Sequence, residues 1–178
     1  MVMGIDYMER QSTYNAKWCW SIIPNKKFSR DINKMRDAII VDIDGTIASH
    51  YDANGNQIRE HHDYGQVHND LPIPEIIELV QLYEDQGYTI LVVTGRMGND
   101  VCRELTEEWL RTHHINYDQL LMRTDRDFRE DSVVKFEIYR DHILDNYNIK
   151  FVLDDRQRVV DMWRGQGLRV LQVDEGDF

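Results

Sequence analysis

The chain has 178 residues, with 21 Lys and Arg against 32 Asp and Glu for a net charge of −11, and it is 42% hydrophobic and 30% charged. That balance suits one folded domain and excludes a chain disordered throughout; the acidity also excludes a protein that coats long nucleic acid, which needs a basic face to displace counterions. A compact pocket for a single phosphate stays compatible with it.

Apolar runs such as 38–41 and 89–93 fall far short of the roughly 20 residues that cross a bilayer, and no basic start leads into an apolar stretch like that of a signal peptide. No membrane partner is therefore expected, and a cytoplasmic location is. Cys19 and Cys102 form neither a CxxC pair nor a framework, so two reduced thiols are expected rather than a disulfide or a thiolate metal site.

In chain order, residues 1–36 hold Trp18, Trp20 and Phe28 among basic residues with no clear periodicity, and read as an N-terminal extension without an assigned role. From residue 37 short apolar runs alternate with helical patterns, the signature of a mainly parallel sheet flanked by helices in an α/β domain over 37–178. Strands are predicted at 38–42, 88–94, 119–122, 150–153 and 169–173. Between the first two lies a polar insertion at 47–71, where Asn54-Gly55 is a turn signal for a small hairpin or flap. Helices are predicted at 75–86, after Pro72 and Pro74 and stopped by Gly87, at 100–113, at 132–144, and after Asp155 as far as Gly165 or Gly167. Trp109 and Trp163, at helical spacing among Leu and Val, read as core.

Three apolar strands end in polar residues that an interior would reject. Asp42 follows AIIV, Thr94 follows ILVV, and Asp154 with Asp155 follows KFVL. Ligands of an open parallel sheet bind beyond the carboxyl ends of its strands, so these groups converge there. Asp42 and Asp44, set beside carboxylates from another strand end, would repel unless a cation lay between them, and Mg²⁺ is the natural candidate. A carboxylate beside such an ion can attack phosphorus, and a second can protonate the leaving oxygen and then activate water. Thr94, the backbone at Gly95 and Lys135 can serve the phosphoryl oxygens.

DIDGT (42–46), VVTGR (92–96), Lys135 in DSVVKFEIYRDHI and VLDDR (152–156) resemble the four ordered motifs of the haloacid dehalogenase (HAD) superfamily of phosphohydrolases. DSVVK, DDRQRVVDMWR and the closing LQVDEGDF narrow the likeness to the 3′-phosphatase domain of phage polynucleotide kinase-phosphatase, over residues 38–178. The resemblance implies a Rossmann-like HAD fold with a small flap after the first strand. Asp42 would be the nucleophile and Asp44 the general acid/base. Thr94 would hydrogen-bond the phosphoryl group and Lys135 neutralise it. Asp42, the Asp44 backbone carbonyl, Asp155 and, in support, Asp154 would hold Mg²⁺. Arg96, beside Gly95, would contact substrate phosphate, as would Arg59 from the flap. Asp131, four residues before Lys135, would orient its ammonium group by an ion pair.

His61, His62 and His68 lack metal-ligand spacing and read as loop histidines, and His113 and His114 as a helix C-terminus. Arg123, Arg126 and Arg129 alternate with acidic residues, either as a solvated loop or as a border of the site that holds a nucleotide backbone. No GxxxxGK[ST] loop occurs, so no kinase activity is expected from these residues. The expected activity is removal of a 3′-phosphate from a nucleic-acid end or nucleotide, in end repair. A phosphatase of mononucleotides or other small phosphoesters is the near alternative, and an inactive module that binds phosphate ends is the alternative of another class.

Overall fold

The computed structural model describes residues 35–176. Trp18, Trp20, Phe28 and Cys19 of the expected extension lie outside them. Arg36, placed in that extension above, instead opens the first strand, β1 (Arg36–Val41).

The flap follows. It contains the two-residue strands β2 (Ala48–Ser49) and β3 (Leu71–Pro72), which pair antiparallel, and a 3₁₀ turn at Tyr64–Asn69 between them. At its tip Tyr51 and Gln57 bridge across the turn at Asn54-Gly55, where Gly55 has φ +80. The hairpin expected there thus forms, and the 3₁₀ turn, too short to show a period, is an addition.

α1 (Pro74–Asp85), β4 (Thr89–Met97), α2 (Asp100–Thr112), β5 (Gln119–Arg123), α3 (Asp131–Ile138), β6 (Tyr147–Arg156), α4 (Gln157–Gly165) and β7 (Val170–Gly176) complete the order. Five strands form one sheet in the order β5-β4-β1-β6-β7, every neighbouring pair parallel. Several strand ends differ from prediction: β1 begins two residues early, and β6 and β7 each run three residues further at their carboxyl ends. β6 begins three residues early at Tyr147, and β4 runs on to Met97 through the shift in its pairing with β5 after Thr94. The predicted helix at 132–144 is α3 continued by a π-helical turn at Tyr139–Ile143.

Alternation along β1 sends its side chains to two cores. Ile39, Val41 and Ile43 pack with Val80, Trp109 and Leu110, while Ala38 and Ile40 pack with Ile143, Val160 and Trp163 on the opposite face. Both faces are covered, as a parallel sheet requires. β1 lies centrally, with its chain continuing to β4 on one side and β6 joining on the other, so the carboxyl ends of these three strands frame the switch point of the sheet. Among the described residues no helix is long and apolar enough to cross a membrane.

Candidate active site

Register places the acidic groups together. Val41 pairs with Val92 and with Leu153, and the Asp42 N–H donates to the Leu153 carbonyl at 3.0 Å. Asp42, just past β1, therefore lies level within a residue with Thr94 and Asp154 on the adjacent strands β4 and β6. Asp42, Asp154 and Asp155 are buried, and each offers one carboxylate oxygen within 4.8 Å of the others.

Lys135 reaches this cluster from α3. Its ammonium group lies 2.8 Å from Asp42 and 3.0 Å from Asp154. Burial works against its charge, but Asp154 and Asp42 outweigh that and hold it firmly protonated. Asp42 is pushed well above the usual carboxylate range, first by burial; Lys135 opposes this, and Asp154 and Asp155 add to it. Burial and the neighbouring Asp154 likewise raise Asp155 to about 6.

The two adjacent aspartates differ in their partners. Asp154 accepts from Lys135, from the Trp163 indole N–H at 3.2 Å and from the Arg156 backbone N–H at 3.3 Å. Asp155 is held by the Thr46 hydroxyl at a longer 3.4 Å. Gly45, at φ +80, has no Cβ to strike the Asp155 carboxylate, which fills that space. Three buried carboxylates with one ammonium between them form a hard oxygen set short of positive charge, which fits a divalent cation such as Mg²⁺.

Asp44 points elsewhere. Arg96 donates to both its oxygens, at 2.9 and 2.8 Å, and Arg59 to one at 2.6 Å. Both guanidiniums also bind Asp70, at 2.7 and 2.6 Å. Burial pushes the Asp44 carboxyl up, but Arg96 and then Arg59 overcome it and hold the group well below the usual carboxylate range. Arg59 and Arg96, expected to contact substrate phosphate, are both sealed from solvent in this structure; their donors go to Asp44 and Asp70, with the Glu60 and His61 carbonyls for Arg59 and the Thr106 hydroxyl for Arg96. Asp70 had no motif to mark it. It closes this four-membered ring, and its own carbonyl accepts from the Trp109 indole N–H at 2.8 Å.

Thr94 is fully buried, and its Oγ1 accepts the Arg96 N–H at 3.2 Å, which leaves the hydroxyl proton available. Asp131 stands 3.9 Å from Lys135, a loose version of the expected ion pair. Its nearer partner is Arg123, at 2.8 Å, with Arg156 at 3.4 Å. The Asp131 carboxylate occupies the space that a Cβ on Gly95 would need, so a side chain there would break this contact.

Asp42, Asp44, Gly95 and Asp131 open on a cleft of about 50 Å³, with His61, Tyr64, Arg123 and Arg156 in its walls. Burial, then His50 and Arg156, lowers His61 to about 4, so it is neutral near pH 7. Burial and the nearby Asp44 push Tyr64 up to about 12. Arg126 is not in the cleft; its side chain is 87% exposed in the loop after β5.

Residues 36–178 match the family model described as the phosphatase domain of polynucleotide kinase PNKP. A putative bifunctional polynucleotide kinase/RNA ligase of Autographa californica nuclear polyhedrosis virus is 28% identical over 135 residues, 74% of this chain and 18% of the viral protein. Among solved structures, a chain of the Pnkp1/Rnl/Hen1 complex superposes with a TM-score of 0.73 at 36% identity, covering 81% of this chain and 48% of that one. A chain of the Pnkp1/Rnl/Hen1 RNA repair complex gives the same TM-score and identity over 44% of its length. The chain thus spans less than half of the relatives it matches. With the match running through every strand of the sheet and all four acidic and basic motifs, the chain belongs to the phosphatase-domain family of polynucleotide kinase PNKP.

Proposed function

We propose that residues 37–178 form a Mg²⁺-dependent phosphomonoesterase that removes the 3′-phosphate from polynucleotide ends, in RNA end repair, through an aspartyl-phosphate on Asp42. The observation that carries this reading is the meeting of Asp42, Lys135, Asp154 and Asp155 from three separate segments in one buried cluster, from which Asp42 opens on a small cleft. The family match and the repair complex to which one relative belongs support the substrate class.

Asp42, Asp155 and the Asp44 backbone carbonyl would hold Mg²⁺, with Asp154 in support through its bonds to Lys135 and Trp163. When bound, the ion supplies positive charge to the phosphoryl oxygens and offsets the repulsion between phosphate and carboxylates. Asp42 attacks phosphorus in line, the bond to the ribose oxygen breaks, and Asp44 gives that oxygen a proton. Asp44 then takes a proton from water, whose oxygen attacks the same phosphorus and releases Asp42. Lys135 and the Thr94 hydroxyl stabilise the charge that develops on the transferring group.

In the arrangement seen, Asp44 is an anion gripped by two arginines, ready for the second step. To donate in the first step it must leave Arg59 and Arg96 and take up a proton, so the flap that carries Arg59 takes part in the cycle.

The test is a panel of 3′-phosphorylated and 5′-phosphorylated oligoribonucleotides, 3′-mononucleotides and a small phosphoester, each with Mg²⁺ and with chelator. Release of phosphate from 3′-ended RNA that stops on chelation is the expected result. Preference for mononucleotides overturns the polynucleotide assignment. Binding of 3′-phosphorylated ends without turnover makes the chain a recognition module.

A further inference from the structure

A second cavity, of about 470 Å³, adjoins the cleft and shares His62, Tyr64 and Arg123 with it; Met97, Arg126 and Phe128 complete the walls used here. The cleft has room for a phosphoryl group and little more, whereas the neighbouring volume lies within the range of about 300–1,000 Å³ typical of pockets for small organic molecules. We propose that this cavity receives the nucleoside that bears the scissile phosphate, with its base stacked on Phe128, and that Arg126 contacts the next phosphate of the strand. The proposal rests on the phosphatase reading above and specifies its substrate: a single-stranded end with an intact terminal base.

Phe128 is 84% exposed, an orientation with no folding benefit for a large aromatic ring but suited to stacking. Arg126 is one of two non-glycine residues with positive φ among the described residues, at φ 59. Such backbone persists where its surroundings enforce it. Arg123 does so from below. It donates to the Asp127 carbonyl at 3.0 Å and the Arg129 carbonyl at 2.6 Å, and on its other side to the Gly95 carbonyl and to Asp131. Arg129 pairs with Asp127 and Glu137, which braces the outer side of the loop. Phe128 and Arg126 are therefore held out on a rigid loop whose anchor is itself a wall of the phosphate cleft. Arg126 has Asp125 at a loose 3.6 Å, and its exposed guanidinium suits a phosphodiester.

The test measures kcat/KM on three substrates: a 3′-phosphorylated trinucleotide, the same trinucleotide with an abasic terminal residue, and glycerol 2-phosphate. The wild-type protein is expected to favour the intact end over the abasic one by about tenfold, within the range that base–aromatic stacking supplies. Phe128→Ala should bring that ratio close to one. Arg126→Ala should lower kcat/KM for the trinucleotide more than for glycerol 2-phosphate, which has no second phosphate. A wild-type ratio already near one, a ratio that Phe128→Ala leaves as in wild type, or an equal loss on all three substrates overturns the proposal. Wild-type protein inert on all three, glycerol 2-phosphate included, refutes the phosphatase reading instead and takes this proposal with it.

Discussion

The Lys135 ammonium and the Asp42 carboxylate lie 2.8 Å apart, and both are buried. Removal of the cation leaves three buried carboxylates with no charge partner of this kind between them. Lys135→Met is therefore expected to abolish turnover and, in chelator, to cost about 3–5 kcal/mol of stability. For a domain of this size that is a fall in Tm of roughly 10 °C. Thermal unfolding with and without Mg²⁺ checks it, and the divalent ion should restore part of the loss. A variant as stable as wild type in chelator would show that Lys135 is not what balances the cluster.

Asp42→Asn keeps the shape of the side chain but removes the carboxylate proposed as nucleophile. Turnover should fall by roughly 10³-fold or more while the circular dichroism spectrum and cooperative unfolding persist. Substantial residual phosphate release in this variant would remove Asp42 from the nucleophile's role.

The raised carboxyl groups set how stability varies with pH. Asp155, raised to about 6 by burial and Asp154, binds a proton more tightly in the folded than in the unfolded chain, and Asp42 shifts in the same sense. In chelator, the contribution of these groups is greatest below the ordinary carboxylate range and declines as pH rises through about 6. Mg²⁺ competes with those protons. Its stabilising shift in Tm is expected to be larger at about pH 7.5 than at about pH 5, and a scan of Tm against pH at fixed Mg²⁺ measures it. A shift of equal size at both pH values would mean that the ion does not bind the raised carboxylates.

Arg59 is the more peripheral of the two guanidiniums on Asp44 and belongs to the flap. Arg59→Gln should let the Asp44 carboxyl rise, because one of the charges that holds it down is gone. The acid limb of the pH profile for hydrolysis of the aspartyl-phosphate in single turnover, where Asp44 must be ionised to take a proton from water, should move to higher pH by up to about one unit. An acid limb in the same place would show that another group sets it.

The strands and the outline of the acidic cluster were legible in the sequence because each is written locally. AIIV and ILVV are apolar on both sides, as strands covered on two faces must be, and the first polar residue marks the end of β1 and, in β4, the point where its pairing with β5 shifts. Trp109 and Trp163 sit in the two cores as their helical spacing suggests. Partners across space were not legible. Arg96 stands in VVTGR next to Thr94 and Gly95, the positions proposed to serve the phosphoryl group, and nothing in that motif shows that Asp70, a single aspartate before LPIP, would draw its guanidinium to Asp44. The extension of β6 back to Tyr147 was hidden because its first residues alternate between buried and exposed rather than forming an apolar run. The role of Arg123 was equally hidden, since a guanidinium that collects carbonyls from its own loop leaves no spacing rule.

Arg59, Arg96, Asp44 and Asp70 form a ring of two positive and two negative groups that is neutral as a whole and almost dry. Mobile ions screen buried pairs far less than exposed ones. Raising ionic strength should consequently leave the flap docked while it screens the long-range field between a chain of net charge −11 and a polyanion, so that any change of rate with added salt reports how the proposed nucleic-acid substrate is captured and not whether the flap stays closed.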